Sequence, residues 1–155
     1  MFLLALGCVA EPDSSPAPVL PGHNDCLAEG ESFSAEVCSG VVAEQGRVAT
    51  VSENKSGDAQ DATDARQFDP ELAWVTGEVT RCACACCHTQ RYGGAGVYAW
   101  DLDWNPVWSD SASGWSLSVF AGYTSEPDQT LPTADLARLR AWVDAEIDRR
   151  DTLSM

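Results

Sequence analysis

Positive charge, histidine and methionine are all scarce in this chain. Nine lysines and arginines stand against 24 aspartates and glutamates, a formal net charge of -15 over 155 residues. No stretch clusters Lys or Arg as the neutralisation of phosphates requires, so nucleic acid is not an expected partner. The carboxylate surplus reads instead as a well-solvated surface. The only histidines are His23 and His88, and the only methionines are Met1 and Met155. With so little imidazole and no G-x-S-x-G, a hydrolase triad has no material. No apolar run approaches the roughly 18 residues needed to span a bilayer. The length allows one modest domain or two very small ones, so a large enzyme with several subsites is not expected.

Cysteine, by contrast, is abundant and unevenly placed. Of the seven, Cys8 is alone near the start, Cys26 and Cys38 form a spaced pair, and Cys82, Cys84, Cys86 and Cys87 are bunched. Those are three different kinds of site.

The run from Met1 to Leu6, ending in small Gly7 before Cys8, resembles the lipobox of bacterial lipoproteins. The resemblance implies export, lipidation of Cys8, and membrane attachment through that lipid alone. Pro12, Pro16, Pro18 and Pro21 beside Ser14 and Ser15 give the following stretch the composition of an extended tether. Residues 1–24 are therefore expected to be a lipoprotein signal and flexible tether, and the localisation extracytoplasmic, in the periplasm.

Residues 25–65 read as a small unit and a linker. Phe33, Ala35 and Val37 alternate before Cys38, Val41 and Val42 follow it, Glu44 to Arg47 suit a turn, and Val48 to Val51 suit a return run. This is the pattern of a small β-hairpin. In an oxidising compartment Cys26 and Cys38 are expected to form a disulfide that staples it. Lys55 to Arg66, polar and without periodicity, reads as linker.

Two helices are expected in residues 66–151. Asp69 can cap and Pro70 suits the first position of one along which Leu72, Val75, Val79, Cys82 and Cys86 recur at steps of three and four. Pro132 and Thr133 mark the start of another, with Leu136, Leu139, Trp142, Val143 and Ile147 on one face and Arg149 and Arg150 at the C-terminal dipole. Between them lies a Gly- and Trp-rich stretch, in which alternation of Trp115, Leu117 and Val119 with serines suggests a short strand.

Cys84-Ala85-Cys86-Cys87-His88 fits C-x-x-C-H, the attachment motif of c-type haem. Two thiols three residues apart can reach the two vinyl groups of one porphyrin edge, and the adjacent imidazole then lies under the iron. With a helix leading into the motif, a final amphipathic helix ending the chain and an export signal, residues 66 to 150 resemble a class I cytochrome c domain. The resemblance implies one covalent haem c held by Cys84 and Cys87, His88 as proximal iron ligand, and electron exchange with an unknown redox partner. It also implies an early helix packed across the last, with Trp74 or Val75 and Trp142 as candidates for the crossing. Such domains usually supply a methionine as sixth ligand; here His23, Lys55, Tyr123, water or nothing remain open.

Two other readings of the cluster stay open. Cys82, Cys84, Cys86, Cys87 and His88 are soft ligands of the kind that bind Zn or Cu(I), and the cysteines could serve disulfides alone, in a non-haem lipoprotein acting as a binding or structural module. Asp101-Leu102-Asp103-Trp104-Asn105 copies the opening of a calcium loop. Pro106 then replaces the required glycine and Ala112 the bidentate Glu, so a solvated loop or turn is expected. The fold expected overall is mostly α: a small cytochrome c-like helical domain with long irregular loops, preceded by a disulfide-stapled hairpin segment and a tether.

Overall fold

A computed structural model describes residues 19–22, 25–45, 64–104, 107–123 and 130–153. They are mostly α-helical, in five helices and four short 3-10 turns, with no strand among the described residues; Cys26 and Cys82 pair in an isolated antiparallel bridge. Cys8, His23, Lys55 and the run Val48 to Val51 lie outside the described residues.

Helix α1, Ala35–Gln45, replaces the first arm of the expected hairpin. The Ser34 hydroxyl accepts from the Val37 backbone N–H at 3.3 Å, which caps the helix start. The side chains that become buried are Cys38, Val41 and Val42, at the steps of three and four that place residues on one helix face. The alternation of Phe33, Ala35 and Val37 was the weaker signal, since Ala35 is exposed and the other two are only partly buried.

Helix α2, Pro70–Thr80, begins as its sequence requires: Asp69 accepts from the Glu71 N–H at 2.9 Å and Pro70 occupies the first turn. Leu72, Val75 and Val79 are buried. A turn at Arg81 to Ala83 separates it from α3, Cys84–Cys87. Helix α4, Gly114–Phe120, lies where a strand was expected. The Ser113 hydroxyl accepts from the Ser116 N–H at 3.0 Å, and Ser116, Leu117, Val119 and Phe120 are buried while Trp115 stays exposed. Capping and helical burial thus outweigh a short alternation. Helix α5, Leu136–Leu153, is capped by Asp135, which accepts from the Arg138 N–H at 2.9 Å.

The main core joins α2, α4 and α5 through Leu72, Val75, Val79, Leu117, Phe120, Leu139, Trp142 and Val143, with Trp100 and Trp108 between them. Val75 and Trp142 share this core. Trp74 lies under the Arg138 guanidinium, 4.2 Å from its ring centroid, while Arg138 holds Glu71 with two hydrogen bonds of 2.8 Å. A second, smaller core gathers Cys38, Val41, Val42, Cys86 and Cys87. It ties α1 to α3.

Candidate functional site

The cysteines are sorted by position. Cys26 is bonded to Cys82 and Cys38 to Cys86, whereas Cys84 and Cys87 stay outside the disulfides. The expected Cys26–Cys38 bridge is therefore not formed: both residues are half-cystines, but each reaches across to the cluster. Cys82 lies in the turn after α2 and Cys86 four residues on in α3, and both are fully buried, whereas Cys84 and His88 face a separate cleft. Backbone pairing fixes the approach of the N-terminal segment, since Ala83 N–H donates to Asp25 O and Leu27 N–H to Arg81 O, both at 2.9 Å.

His88 follows α3 directly, its N–H donating to Cys84 O at 3.2 Å. Its ring stacks on Trp100 with centroids 3.7 Å apart and planes 8° apart. Nδ1 meets the Trp100 carbonyl oxygen at 3.2 Å. A carbonyl only accepts, so this contact puts the proton on Nδ1 and makes Nε2 the nitrogen that carries the lone pair. The loop that presents Trp100 can pass this close because of its glycines. A Cβ on Gly94 would lie 2.5 Å from Cys87 Cα, and one on Gly96 would lie 2.7 Å from His88 Cδ2.

Asp101 secures the same loop. It is almost fully buried, its Oδ1 accepts from the N–H groups of Gln90 at 3.2 Å and Asp103 at 2.9 Å, and Oδ2 has no hydrogen-bond partner. Burial pushes its carboxyl above the usual range. The expected turn is present, but its first residue is packed inside rather than solvated. Asn105 and Pro106 lie outside the described residues.

Cys84 and His88 both line a narrow cleft of about 100 Å³, together with Val79, Ala99, Trp100, Trp115, Ser116, Val119, Phe120 and Leu131. Cys87 is not on that lining and packs into the smaller core. Desolvation of its sulfur pushes the Cys84 thiol up to about 12, so it is a neutral S–H over the physiological range. Tyr123 is held away: its hydroxyl donates to Asp144 at 2.9 Å and lies 3.2 Å from Arg140 O on α5.

No family model, curated protein or solved structure matches the chain.

The donor set itself tests which prosthetic group these residues suit. Cys84 and His88 face the same cleft, but Cys87 packs into the smaller core, so the arrangement as it stands does not present both thiols to one porphyrin edge. Room is the tighter condition. About 100 Å³ is less than the roughly 300–1,000 Å³ of ordinary ligand pockets, so the cleft as it stands does not hold a macrocycle. The four-thiol cluster weighed for Zn or Cu(I) does not assemble as thiolates, because Cys82 and Cys86 are in disulfides. Among the described residues no group of three or more His, Cys, Asp or Glu is placed to hold a metal ion. No described helix is long and apolar enough to cross a membrane.

Sequence reasoning named Cys84, Cys87 and His88 but did not single out the roles of Trp100, Gly94, Gly96 and Asp101. Trp100 and Asp101 were visible only as one of many tryptophans and as the head of a failed calcium loop. The glycine spacing carried a faint signal, since Gly94 and Gly96 follow the motif within a turn-rich segment.

Proposed function

We propose that this chain is an extracytoplasmic c-type cytochrome-like protein carrying one covalent haem, tethered by a lipid on Cys8 and exchanging single electrons with a partner protein. The observation that carries this reading is the cysteine sorting: among the described residues two disulfides use four cysteines, and the other two are those of the C-x-x-C-H motif. When bound, haem supplies an iron centre able to take up and release one electron.

The chain's own residues have defined tasks. Cys84 and Cys87 would hold the macrocycle through thioethers, each S–H adding across a vinyl group so that no oxidant is consumed. His88 would offer Nε2 to the iron, with the Trp100 carbonyl on Nδ1 fixing the ring. Val79, Phe120 and Leu131, which line the cleft beside Cys84 and His88, would keep water from the group held there. The two disulfides support an oxidising compartment, where such bonds persist.

The narrowness of the cleft favours a second reading, a disulfide-stabilised binding or structural lipoprotein without haem. A denaturing gel stained for haem peroxidase activity distinguishes the two, run on protein exported from a host with haem-attachment machinery. Covalent haem gives a stained band at the size of the chain, lost in Cys84→Ala/Cys87→Ala. An unstained wild-type band, with folding intact, supports the second reading.

A further inference from the structure

We infer that the cavity between segment 30–33, α2 and α3 binds a small organic ammonium ion, with Glu31 and the threonine hydroxyls of the lining as its acceptors. The inference stands apart from the haem reading, since Cys84, Cys87 and His88 are not on that lining.

The cavity has a volume of about 490 Å³, within the roughly 300–1,000 Å³ of ordinary ligand pockets. Cys38, Cys82 and Cys86 lie on its walls, so the two disulfides hold its shape before any ligand arrives. Gly77 of α2 is on the same lining. A Cβ there would meet nothing within 4 Å, so packing does not require the glycine, although glycine weakens a helix interior relative to Ala. Its missing side chain leaves the wall open.

The polar lining is set to accept. Thr76 Oγ1 donates to Leu72 O at 2.7 Å, Thr80 Oγ1 to Thr76 O at 2.8 Å and Thr89 Oγ1 to Ala85 O at 2.6 Å. Each hydroxyl has spent its hydrogen and keeps a lone pair to offer. Glu31 adds a carboxylate, steadied by the Ala28 N–H at 3.0 Å. Arg91, a cation on the lining, is held by Asp103, which accepts from its Nε and its backbone N–H at 3.0 Å each. An incoming anion would have to compete with Asp103 and face Glu31. An ammonium group carries donors only and matches this set, and the net charge of -15 draws cations to the surface. Phe33, Tyr92 and Leu102 supply apolar contact for the rest of the molecule.

The test is isothermal titration calorimetry of the folded, exported protein with phenethylammonium, phenethyl alcohol and phenylacetate. We expect saturable binding of the amine at a single site, binding of the alcohol weaker by about tenfold or more, and none of phenylacetate. Glu31→Gln, at an exposed position, should weaken the amine by about tenfold and leave the alcohol unchanged. Gly77→Leu should abolish binding of both by filling the cavity, with the melting temperature retained; should it unfold the protein, Thr80→Leu blocks the same wall. Absence of saturable binding of phenethylammonium overturns the inference. Equal affinity for amine and alcohol, or unchanged amine affinity in Glu31→Gln, overturns the selection for charge. Full amine affinity in a folded Gly77→Leu or Thr80→Leu puts the binding elsewhere and overturns the site.

Discussion

His88 lies flat against Trp100, ring centroids 3.7 Å apart, and the same residue's backbone carbonyl takes the His88 Nδ1 at 3.2 Å. One residue thus sets both the plane and the tautomer of the only described imidazole. Trp100 is also packed against Trp108 and Phe120, at centroid distances of 5.5 and 6.5 Å. Trp100→Ala is expected to lower unfolding free energy by about 3–5 kcal/mol, read by urea denaturation, with Trp100→Phe recovering most of it.

The glycines of the loop give a contrasting pair. Gly94→Ala and Gly96→Ala place a Cβ within 2.5 and 2.7 Å of Cys87 and His88 atoms, whereas a Cβ at Gly77 of α2 meets nothing within 4 Å. The first two are expected to cost about 1–3 kcal/mol each by overpacking. Gly77→Ala is expected to gain up to about 1 kcal/mol, the helix-interior preference of Ala over Gly. Thermal unfolding of the three variants side by side checks the order.

Disulfide connectivity has its own measurement. Peptide mapping without reduction should recover the linked pairs Cys26–Cys82 and Cys38–Cys86, which close sequence separations of 56 and 48. Loss of either through a paired Ser substitution is expected to cost about 4 kcal/mol, and loss of both less than twice that because the loops overlap. Recovery of a Cys26–Cys38 peptide would contradict the arrangement.

These pairings show what was legible in the sequence. The steps of three and four from Leu72 through Val75, Val79 and Cys82 to Cys86 were legible, but they left the bonding of those two cysteines open. Helices α2 and α5 were legible too, because Asp69-Pro70 and the long face from Leu136 to Ile147 agree with both capping and period. Helices α1 and α4 were not, because three alternating residues mimic a strand and the deciding signals, Ser34 and Ser113 as caps, are single hydroxyls. Which cysteine meets which is a long-range fact that spacing alone leaves undetermined. The seat of His88 depends on a carbonyl twelve residues away, which no side-chain motif announces.

Acid stability should centre on Glu146. Burial alone would raise its carboxyl, but hydrogen bonds from Arg149 and Arg150 override it and hold it below the usual 4.5, and Arg66 lies 3.7 Å away. A folded value below the unfolded one means a contribution fully present above about pH 4.5 and lost as pH falls through the folded value. Glu146→Gln is expected to cost about 3 kcal/mol at neutral pH by leaving three partly buried arginines short of a counter-charge. It should also flatten the acid limb of stability against pH, followed by circular dichroism.

Intact mass of the exported protein, unreduced and denatured, tests the central claim most directly. Covalent haem on Cys84 and Cys87 beside two disulfides adds about 616 Da to the disulfide-bonded polypeptide, and reduction then adds only about 4 Da while the haem stays attached. That is the expected result. A mass equal to the polypeptide less three disulfides, rising by about 6 Da on reduction, would mean that Cys84 and Cys87 are bonded to each other and would contradict the haem reading.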